Sequence, residues 1–414
     1  MSSADVVIAG AGPAGSAAAY ALARAGVDVL VLERARFPRD KSCGDGVTAH
    51  AVDILLDMGV TFESLGTTAK RTIGGRIGGP SGESFQAAPP LYNGAAADCW
   101  VVPRVALDQA IARRAVDAGA KLVESASATE VIRNRNGCCA GVRYDDGSGV
   151  RAVAAKVVIG ADGAHSNVAR SLGARSAPKR HIGFALRGYY DGVADLGDFL
   201  EIYYYDKRLL PGYAWVFPVG NGSANVGVGI YAGELDRSSR KLRDILDDFI
   251  ATEPNVKERF RGAKQVGRAI GWPLPVSTLN RPVVFDGAML CGDAAALVDP
   301  LTGEGIWTAL VSGRAAARAA LAALRNGDAS KAALHPYQRE LHAEVSGYLN
   351  SGRLLKNLAK SATLMDLIVR RGHGSPYYAS RAIGYGLGTL DRRRALLSIV
   401  LKAVFNPSFF KKNA

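Results

Sequence analysis

The stretch Asp5-Val-Val-Ile-Ala-Gly10-Ala-Gly-Pro-Ala-Gly15 decides how this chain begins to fold. Its short apolar run, bounded by glycine, predicts a buried parallel strand. The alanine-rich stretch that follows to Ala25 predicts a helix. Residues 27–32 predict a second strand that ends at Glu33. Together they predict a βαβ unit of the dinucleotide-binding type.

Each glycine of this turn has a distinct task. Gly10 permits the tight turn, Gly12 lets the backbone approach a pyrophosphate, and Gly15 allows close helix–strand packing. The positive end of the helix would point at the phosphates, and Glu33, 21 residues after Gly12, is placed to accept hydrogen bonds from a ribose. The predicted dinucleotide contacts here are Gly10, Gly12, Pro13, Ala14, Gly15, Glu33 and Arg34.

Two later motifs decide which dinucleotide is bound. Asp162-Gly163 lies in the stretch from Val158 to Arg170, and Gly292-Asp293 follows an apolar strand. In these motifs the chain resembles glutathione-reductase-type FAD enzymes, in the branch that includes para-hydroxybenzoate hydroxylase. The resemblance implies FAD as the cofactor, with Asp162, Gly163, Gly292 and Asp293 as contacts.

The same resemblance extends to the start of a long helix. Asp299-Pro-Leu-Thr-Gly303-Glu-Gly305-Ile306 opens that helix, whose free N–H groups would face the flavin and stabilise its negative charge on reduction. Arg104 matches a family position that touches FAD. The further contacts implied are Arg104, Pro300, Gly303, Gly305 and Ile306.

Two stretches narrow the resemblance. Lys41-Ser-Cys43-Gly44-Asp45-Gly46 and Pro211-Gly-Tyr213-Ala-Trp215-Val-Phe217-Pro218, the latter followed by residues 222–229, resemble motifs of the geranylgeranyl reductases. Members of that family, among them bacterial menaquinone reductases, saturate isolated C=C bonds in geranylgeranyl, phytyl or polyprenyl chains. The resemblance spans residues 5–325 and implies an FAD-dependent oxidoreductase that acts on an apolar isoprenoid substrate.

The residue types themselves favour such a substrate. An isoprenoid chain offers almost nothing to hydrogen-bond, so large apolar surfaces must shape its pocket. Alternating Tyr213, Trp215 and Phe217 would project from one strand face, either lining a tunnel to the flavin or packing the core. Cys43 is expected to line the active site as proton donor or as pocket wall. Predicted catalytic residues are Cys43, Tyr213 and Trp215, Cys43 and Gly44 are predicted to touch FAD, and the predicted substrate contacts are Gly46, Tyr205, Tyr213, Trp215 and Phe217.

In the predicted reaction, reduced flavin delivers hydride to one alkene carbon and a proton reaches the other, with Cys43 and the Tyr203–Tyr205 cluster as candidate acids. The electron donor stays open between NAD(P)H and an electron-donor protein or a quinol, since Gly74–Gly79 lacks the elements of a second dinucleotide site. Two alternatives stay open: a flavin monooxygenase or epoxidase acting on an aromatic or terpenoid product, and a membrane-docked FAD electron-transfer protein.

We therefore predict an α/β fold: a glutathione-reductase-type Rossmann FAD-binding domain, an inserted β-sheet substrate domain and a helical C-terminal segment. Residues 1–66, 100–178 and 283–330 are assigned to the FAD-binding domain. Residues 67–99 and 179–282 are assigned to the β-rich substrate domain, and residues 331–414 to the basic C-terminal segment.

Composition bounds the location and the partners. The five cysteines lack CxxC spacing and no signal peptide is evident, which favours a cytoplasmic protein with reduced thiols, and no metal site is predicted. The net charge of +13 is concentrated in residues 353–414, where 12 Lys and Arg face two acids. Basic and apolar residues together favour peripheral contact with an anionic membrane at its inner face, the alternative being ordinary packed helices. No nucleic-acid recognition module is present.

Overall fold

The computed structural model describes residues 2–174 and 177–404. Its strands, in chain order, are β1 (Ser2–Ala9), β2 (Val29–Glu33), β3 (Gly46–Val47), β4 (Lys70–Thr72), β5 (Gly74–Gly78), β6 (Ser84–Ala87), β7 (Cys99–Val101), β8 (Lys121–Glu124), β9 (Ser127–Arg133), β10 (Cys139–Asp145), β11 (Val150–Gly160), β12 (Ile182–Asp191), β13 (Phe199–Tyr203), β14 (Tyr213–Pro218), β15 (Ser223–Tyr231), β16 (Lys264–Pro275), β17 (Val284–Phe285) and β18 (Ala288–Leu290). The α-helices are α1 (Pro13–Arg24), α2 (Ala49–Asp57), α3 (Arg104–Asp117), α4 (Asn167–Ser171), α5 (Ala232–Ser238), α6 (Leu242–Thr252), α7 (Ile306–Asn326), α8 (Lys331–Leu358), α9 (Ala362–Gly374), α10 (Pro376–Leu387) and α11 (Arg392–Val404).

The first sheet carries the predicted βαβ unit. Its strands run in the order β17-β18-β11-β1-β2-β8, and β18, β11, β1, β2 and β8 are mutually parallel. Residues 6–9 and 157–159 are fully buried apolar side chains, as expected for strands covered on both faces. Helix α1 packs against α7 through small alanine side chains. The carboxyl ends of β1, β11 and β18 therefore meet at one edge of the sheet.

A second sheet lies beyond that edge. It has the order β16-β12-β15-β14-β13-β5-β6 and is antiparallel except between β13 and β5. The strands β3, β7 and β4 form a small third sheet. The sequence predicted strands across the region of residues 180–280, but the structure also places helices α5 and α6 there. Ile245, Leu246 and Phe249 of α6 are fully buried against the second sheet, so that helix is part of its core.

The C-terminal helices pack on both sheets. Helix α8 buries Leu334, Tyr337 and Leu341 in the core of the first sheet, whereas α9 and α10 pack on β5 and β6. None of the helices in the described part of the chain is long and apolar enough to cross a membrane.

The basic tail predicted to face a membrane is partly a packed structure. Leu396 and Ile399 of α11 are buried in the core formed with α9 and α10. Arg392, counted as one of the tail's charges, is buried and paired with Asp299 at 2.9 Å. Leu401 is half exposed. The apolar residues Phe405, Phe409 and Phe410 lie outside the described residues.

Candidate functional site

A large cavity lies between the edge of the first sheet and the face of the second. It encloses about 1620 Å³, including the part open to solvent. The structure brings most of the predicted site residues together in its wall. Those residues are Gly12, Pro13, Ala14, Cys43, Gly44, Gly46, Arg104, Gly163, Tyr213, Trp215, Phe217, Gly292, Asp293, Gly303, Gly305 and Ile306.

The turn between β1 and α1 has the shape that the glycine pattern predicts. Gly10 has a φ of +96°, and a Cβ there would overlap the carbonyl oxygen of Ala161. A Cβ on Gly15 would overlap the carbonyl oxygen of Gly10. The position beside Gly12 is open, with only the Arg39 Nη2 atom within 4 Å of a Cβ there, at 3.9 Å. Close packing thus requires two of the glycines, whereas the third leaves room for a ligand.

The Glu33 carboxylate holds this turn by hydrogen bonds to the backbone. One carboxylate oxygen accepts the Ala11 N–H at 2.9 Å and the other accepts the Ala35 N–H at 3.1 Å. The Arg39 guanidinium lies 3.3 Å from the carboxylate. Glu33 does not itself line the cavity, so the side chain predicted to contact a ribose is engaged by the protein's own backbone.

Several other predicted cofactor contacts also lie behind the wall. Asp162 accepts hydrogen bonds from the Ser166 hydroxyl and the Val168 N–H, and so it supports the start of α4, whose N-cap is Ser166. Arg34 packs over the ring of Trp272 at 5.5 Å. The Pro300 carbonyl accepts the Tyr231 hydroxyl. Neither Asp162, Arg34 nor Pro300 lines the cavity.

The cysteine loop forms one wall. Cys43 is a free thiol whose burial raises its pKa, while the nearby Arg104 guanidinium opposes that effect. Arg104 is held by two hydrogen bonds to Asp108, at 2.6 and 2.8 Å. Lys41 pairs with Asp293 at 3.0 Å across the cavity edge. A protonated thiol therefore faces the cavity beside a fixed positive charge.

The aromatic strand β14 forms the wall next to the cysteine loop. Tyr213, Trp215 and Phe217 all line the cavity, with successive ring centroids 6.1 and 6.2 Å apart, so the predicted common face is confirmed. Their partners in β15 leave space for the rings, because Trp215 pairs with Gly227 and Tyr213 with Gly229. A Cβ on Gly227 would overlap the indole of Trp215.

Of the candidate acids Tyr203–Tyr205, Tyr204 lines a second cavity described below, whereas the other two side chains turn away from both cavities. The Tyr205 hydroxyl donates to the Ile245 carbonyl at 3.0 Å and its ring packs on Phe249, so Tyr205 does not line the cavity as predicted. Tyr203 is fully buried and donates to Glu201 at 2.6 Å. The alternation of side chains along β13 and the turn after it directs Tyr203 and Tyr205 toward α6. That helix was not predicted from the sequence.

Glu304 was not among the site residues predicted from the sequence. This residue lines the cavity just before α7, and its Oε1 accepts the Trp307 N–H at 2.5 Å. Its Oε2 is buried and has no hydrogen-bond partner among the described residues. Burial raises the pKa of this carboxyl to about 7, and the negative charge of Asp299 adds to the effect. Its position between two glycines that the family motif singles out was the available signal.

A second, smaller cavity of about 630 Å³ adjoins the first. Ile77, Ile202, Tyr213 and Thr302 line both. The C-terminal helices supply most of the rest of its wall, which is almost entirely apolar: Leu355, Ala359, Met365, Ile368, Ala382, Tyr385 and Ile399. From α10, Ile383 and Leu387 also reach the first cavity. The two cavities together form an apolar path away from the glycine turn.

Comparison with known proteins agrees with this geometry. A family model described as an FAD binding domain matches residues 3–350. The menaquinone reductase of Mycobacterium tuberculosis H37Rv is 39% identical over 325 residues, which cover 76% of each chain. The chain belongs to the geranylgeranyl reductase family of FAD-dependent oxidoreductases. Its predicted cofactor, enzyme class and fold class are thereby confirmed.

Other members of the geranylgeranyl reductase family match over more of the chain. Digeranylgeranylglycerophospholipid reductase 1 of Methanopyrus kandleri is 34% identical, covering 88% of this chain and 92% of its own. A geranylgeranyl bacteriochlorophyll reductase-like structure from Thermoplasma acidophilum has a TM-score of 0.83 at 28% identity, covering 100% and 98% of the two chains. A flavin-dependent brominase, at 23% identity and a TM-score of 0.77 over both full chains, shares the fold.

The wall of the first cavity fits the FAD of this reductase family. Helix α1 starts at Pro13 without a side-chain cap, so the N–H groups of Ala14 and Gly15 in its first turn can receive a phosphate. Gly12 leaves open space where a side chain would fill the cradle, and Gly292 has a φ of +58°, with Ala14 Cβ only 3.1 Å from where its own Cβ would lie. Long helix α7 begins at Ile306, with Gly305 as its N-cap, and points its positive end at the same space, as predicted.

Proposed function

We propose that this protein reduces isolated C=C bonds in an isoprenoid chain, such as a geranylgeranyl, polyprenyl or prenylated quinone substrate, with FAD as its redox cofactor. The observation that carries the proposal is the aromatic wall of β14 continuing into the apolar second cavity. Such a path suits a long hydrocarbon chain because burial of apolar surface is favourable and no polar partner is demanded.

We assign the cofactor to the part of the cavity beside the glycine turn, with the contacts Gly12, Pro13, Ala14, Arg104, Gly163, Gly292, Asp293, Gly303, Gly305 and Ile306. Gly10, Gly15 and Glu33 shape the turn that these contacts depend on. When bound and reduced, FAD supplies the hydride for one alkene carbon. The amino terminus of α7 stabilises negative charge at the cofactor.

The protein's own groups provide positioning and the proton. Trp215 and Phe217 hold the alkene by packing and exclude water from it. The Cys43 thiol retains its proton at neutral pH, because burial raises its pKa, and we assign it as the proton donor. The Arg104 guanidinium stabilises the thiolate that remains. Tyr213 serves as a wall residue, because its hydroxyl donates to the Thr302 carbonyl.

An anaerobic experiment tests this function. The flavin of the purified holoenzyme is reduced with dithionite, geranylgeranyl or menaquinone substrates are added, and flavin reoxidation is followed together with product mass. We expect reoxidation without oxygen and a product that gains two hydrogen atoms. If reoxidation awaits air and the product gains an oxygen atom, the protein is a monooxygenase. A flavin that no prenyl substrate reoxidises would exclude the reductase.

We further propose that this protein is cytoplasmic and contacts an anionic membrane through its C-terminal helices. Leu367, Tyr377 and Leu401 are exposed there, and the Arg381 guanidinium lies 5.8 Å from the centroid of the Tyr377 ring. A full-length Leu401→Glu variant should float less with phosphatidylglycerol vesicles than wild type. Val150→Glu, at a similarly exposed position in β11, is the control. Equal flotation of all three proteins would remove α11 from the contact.

A further inference from the structure

Asn225 lies at the centre of a buried hydrogen-bond network between the two walls of the cavity. Its side chain is fully buried in β15. Its Oδ1 accepts the Trp215 Nε1–H at 2.9 Å. Its Nδ2 donates to the Cys43 carbonyl at 2.9 Å and to Asp45 Oδ2 at 2.7 Å. This one side chain therefore connects the aromatic strand to the cysteine loop.

The chemistry of the three partners selects an amide at this position. An indole N–H only donates, whereas a carbonyl and a carboxylate only accept. The Asn225 position therefore needs one acceptor and two donors on a short side chain. Aspartate would lack the donors and leucine would lack both, leaving buried polar groups without partners at a cost in free energy.

The two walls that Asn225 connects are in close contact. A Cβ on Gly44 would lie 3.1 Å from Phe217 Cε2 and 3.5 Å from Trp215 Nε1. The Asp45 N–H also donates to the Cys43 sulfur at 3.3 Å, so the loop conformation sets the direction of the thiol. A small shift of the loop would change both the thiol position and the space above Trp215.

We propose that Asn225 is a positioning residue for the reduction: it fixes the Trp215 indole and the Cys43 loop relative to each other and thereby places the alkene. The proposal rests on the proposed function for its kinetic consequence. A misplacement of about 1 Å at a reacting centre costs on the order of 100-fold in rate. The network itself, however, can be tested without any substrate.

Asp45 supplies a sensitive probe of this arrangement. Burial raises the pKa of its carboxyl to about 6, opposed by the hydrogen bond that Tyr189 donates at 2.5 Å. In an Asn225→Asp variant, two buried carboxyls would face each other and share one proton at low pH. The charged and titratable groups around the pair are Arg104, Arg187, Tyr189 and Cys43.

The experiment measures kcat and KM of Asn225→Asp holoenzyme between about pH 5.5 and 8.5. The shared proton replaces the missing donor at low pH, so we expect kcat within several-fold of wild type there. Once both carboxyls ionise, kcat should fall at least about tenfold further, with a smaller change in KM. Asn221→Asp, in an exposed turn, makes the same chemical change outside the network and should match wild type throughout.

A second readout is the rate at which iodoacetamide alkylates Cys43, followed by mass spectrometry of its peptide. Asn225→Asp should raise the alkylation rate of Cys43. The ratio of this rate to the wild-type rate at the same pH should increase as the pH rises. The exchanged variant Asp45→Asn/Asn225→Asp again has one carboxyl and restores one donor–acceptor pair, so it should recover most of the kcat and a pH profile close to that of wild type. If Asn225→Asp does not fold, the exchanged variant still tests the network.

The outcomes separate the two proposals. Wild-type kcat and alkylation in Asn225→Asp at every pH would overturn the role of Asn225, as would an exchanged variant that folds, binds FAD and stays as impaired as the single variant. If wild-type enzyme reduces no prenyl substrate, the proposed function fails. The alkylation rates then still decide whether Asn225 holds the Cys43 loop.

Discussion

Replacing Arg392 with methionine should be among the most destabilising changes in the C-terminal segment. The Arg392 and Asp299 side chains are 1% and 0% exposed, with Nη1 and Oδ2 2.9 Å apart. Arg392 also donates to the carbonyls of Tyr385 at 2.8 Å and Gly386 at 3.2 Å, and its guanidinium lies 3.5 Å from the Tyr348 ring centroid. Methionine would fill much of the space but leave Asp299 charged and buried.

The magnitude follows from that uncompensated charge. Removing one partner of a buried ion pair costs about 3–5 kcal/mol, and the two carbonyls without donors favour the upper part of that range. Asp299 keeps the Thr302 hydroxyl and N–H as donors, so it remains partly solvated by the protein. Adding Asp299→Asn should recover part of the loss, because the double variant has no buried charge to compensate.

Urea unfolding, followed by circular dichroism and by limited proteolysis of α10 and α11, measures this loss. Arg394→Met is the matched control, since that side chain is 90% exposed and 3.7 Å from Asp391. We expect the control to change stability by less than about 0.5 kcal/mol. An Arg392→Met protein within about 1 kcal/mol of wild type would refute the argument that the buried pair anchors this segment.

Three further predictions concern the cavity. Gly10→Ala should lower the flavin-to-protein absorbance ratio several-fold, because its Cβ would overlap Ala161, whereas Gly26→Ala, at a φ of +78° with nothing within 4 Å of its Cβ, should keep the ratio despite similar backbone strain. Ala382→Phe should fill the second cavity, so KM should rise at least about tenfold more for long prenyl substrates than for short ones. Equal increases in KM for long and short substrates would show that the prenyl chain of the substrate does not bind in this cavity. In the folded protein the pKa of Glu304 is raised to about 7, against an ordinary 4.5, so between these pH values the folded protein holds a proton that the unfolded chain has released. The free energy of unfolding of wild type should therefore decrease as the pH rises from 4.5 to 7, by up to about 3 kcal/mol. Urea midpoints of Glu304→Gln should lack that component, and parallel pH profiles for the two proteins would contradict it.

Much of the fold could be predicted because its signals are local. The glycine spacing at residues 10–15 constrains a turn that only a βαβ unit accommodates, and alternation in β14 places three rings on one face whatever their partners. Helix α6 could also have been predicted, since Ile245, Leu246 and Phe249 have helical spacing. The aromatic richness of the neighbouring strands concealed that pattern.

The remainder depends on contacts between distant parts of the chain. The apolar face of α10 is visible in the sequence, but the period of a helix does not say which surface covers it, so Ile383 and Leu387 could not be assigned to the cavity. Arg392 resembled a surface charge because its partner, Asp299, lies 93 residues away. Asn225 likewise acquires its role only from a strand register and a loop 180 residues earlier.

The order in which the ribosome releases this chain has a consequence for the cavity. Strand β11 gains its neighbour β18 only after residue 288 has been made, and the apolar path needs Ala382 of α10 and Ile399 of α11. A nascent chain that has completed its glycine turn therefore still exposes the hydrocarbon-binding surface to water. Because the proposed cofactor contacts end at Ile306, we expect cofactor loading and completion of the apolar path to be separable events during synthesis.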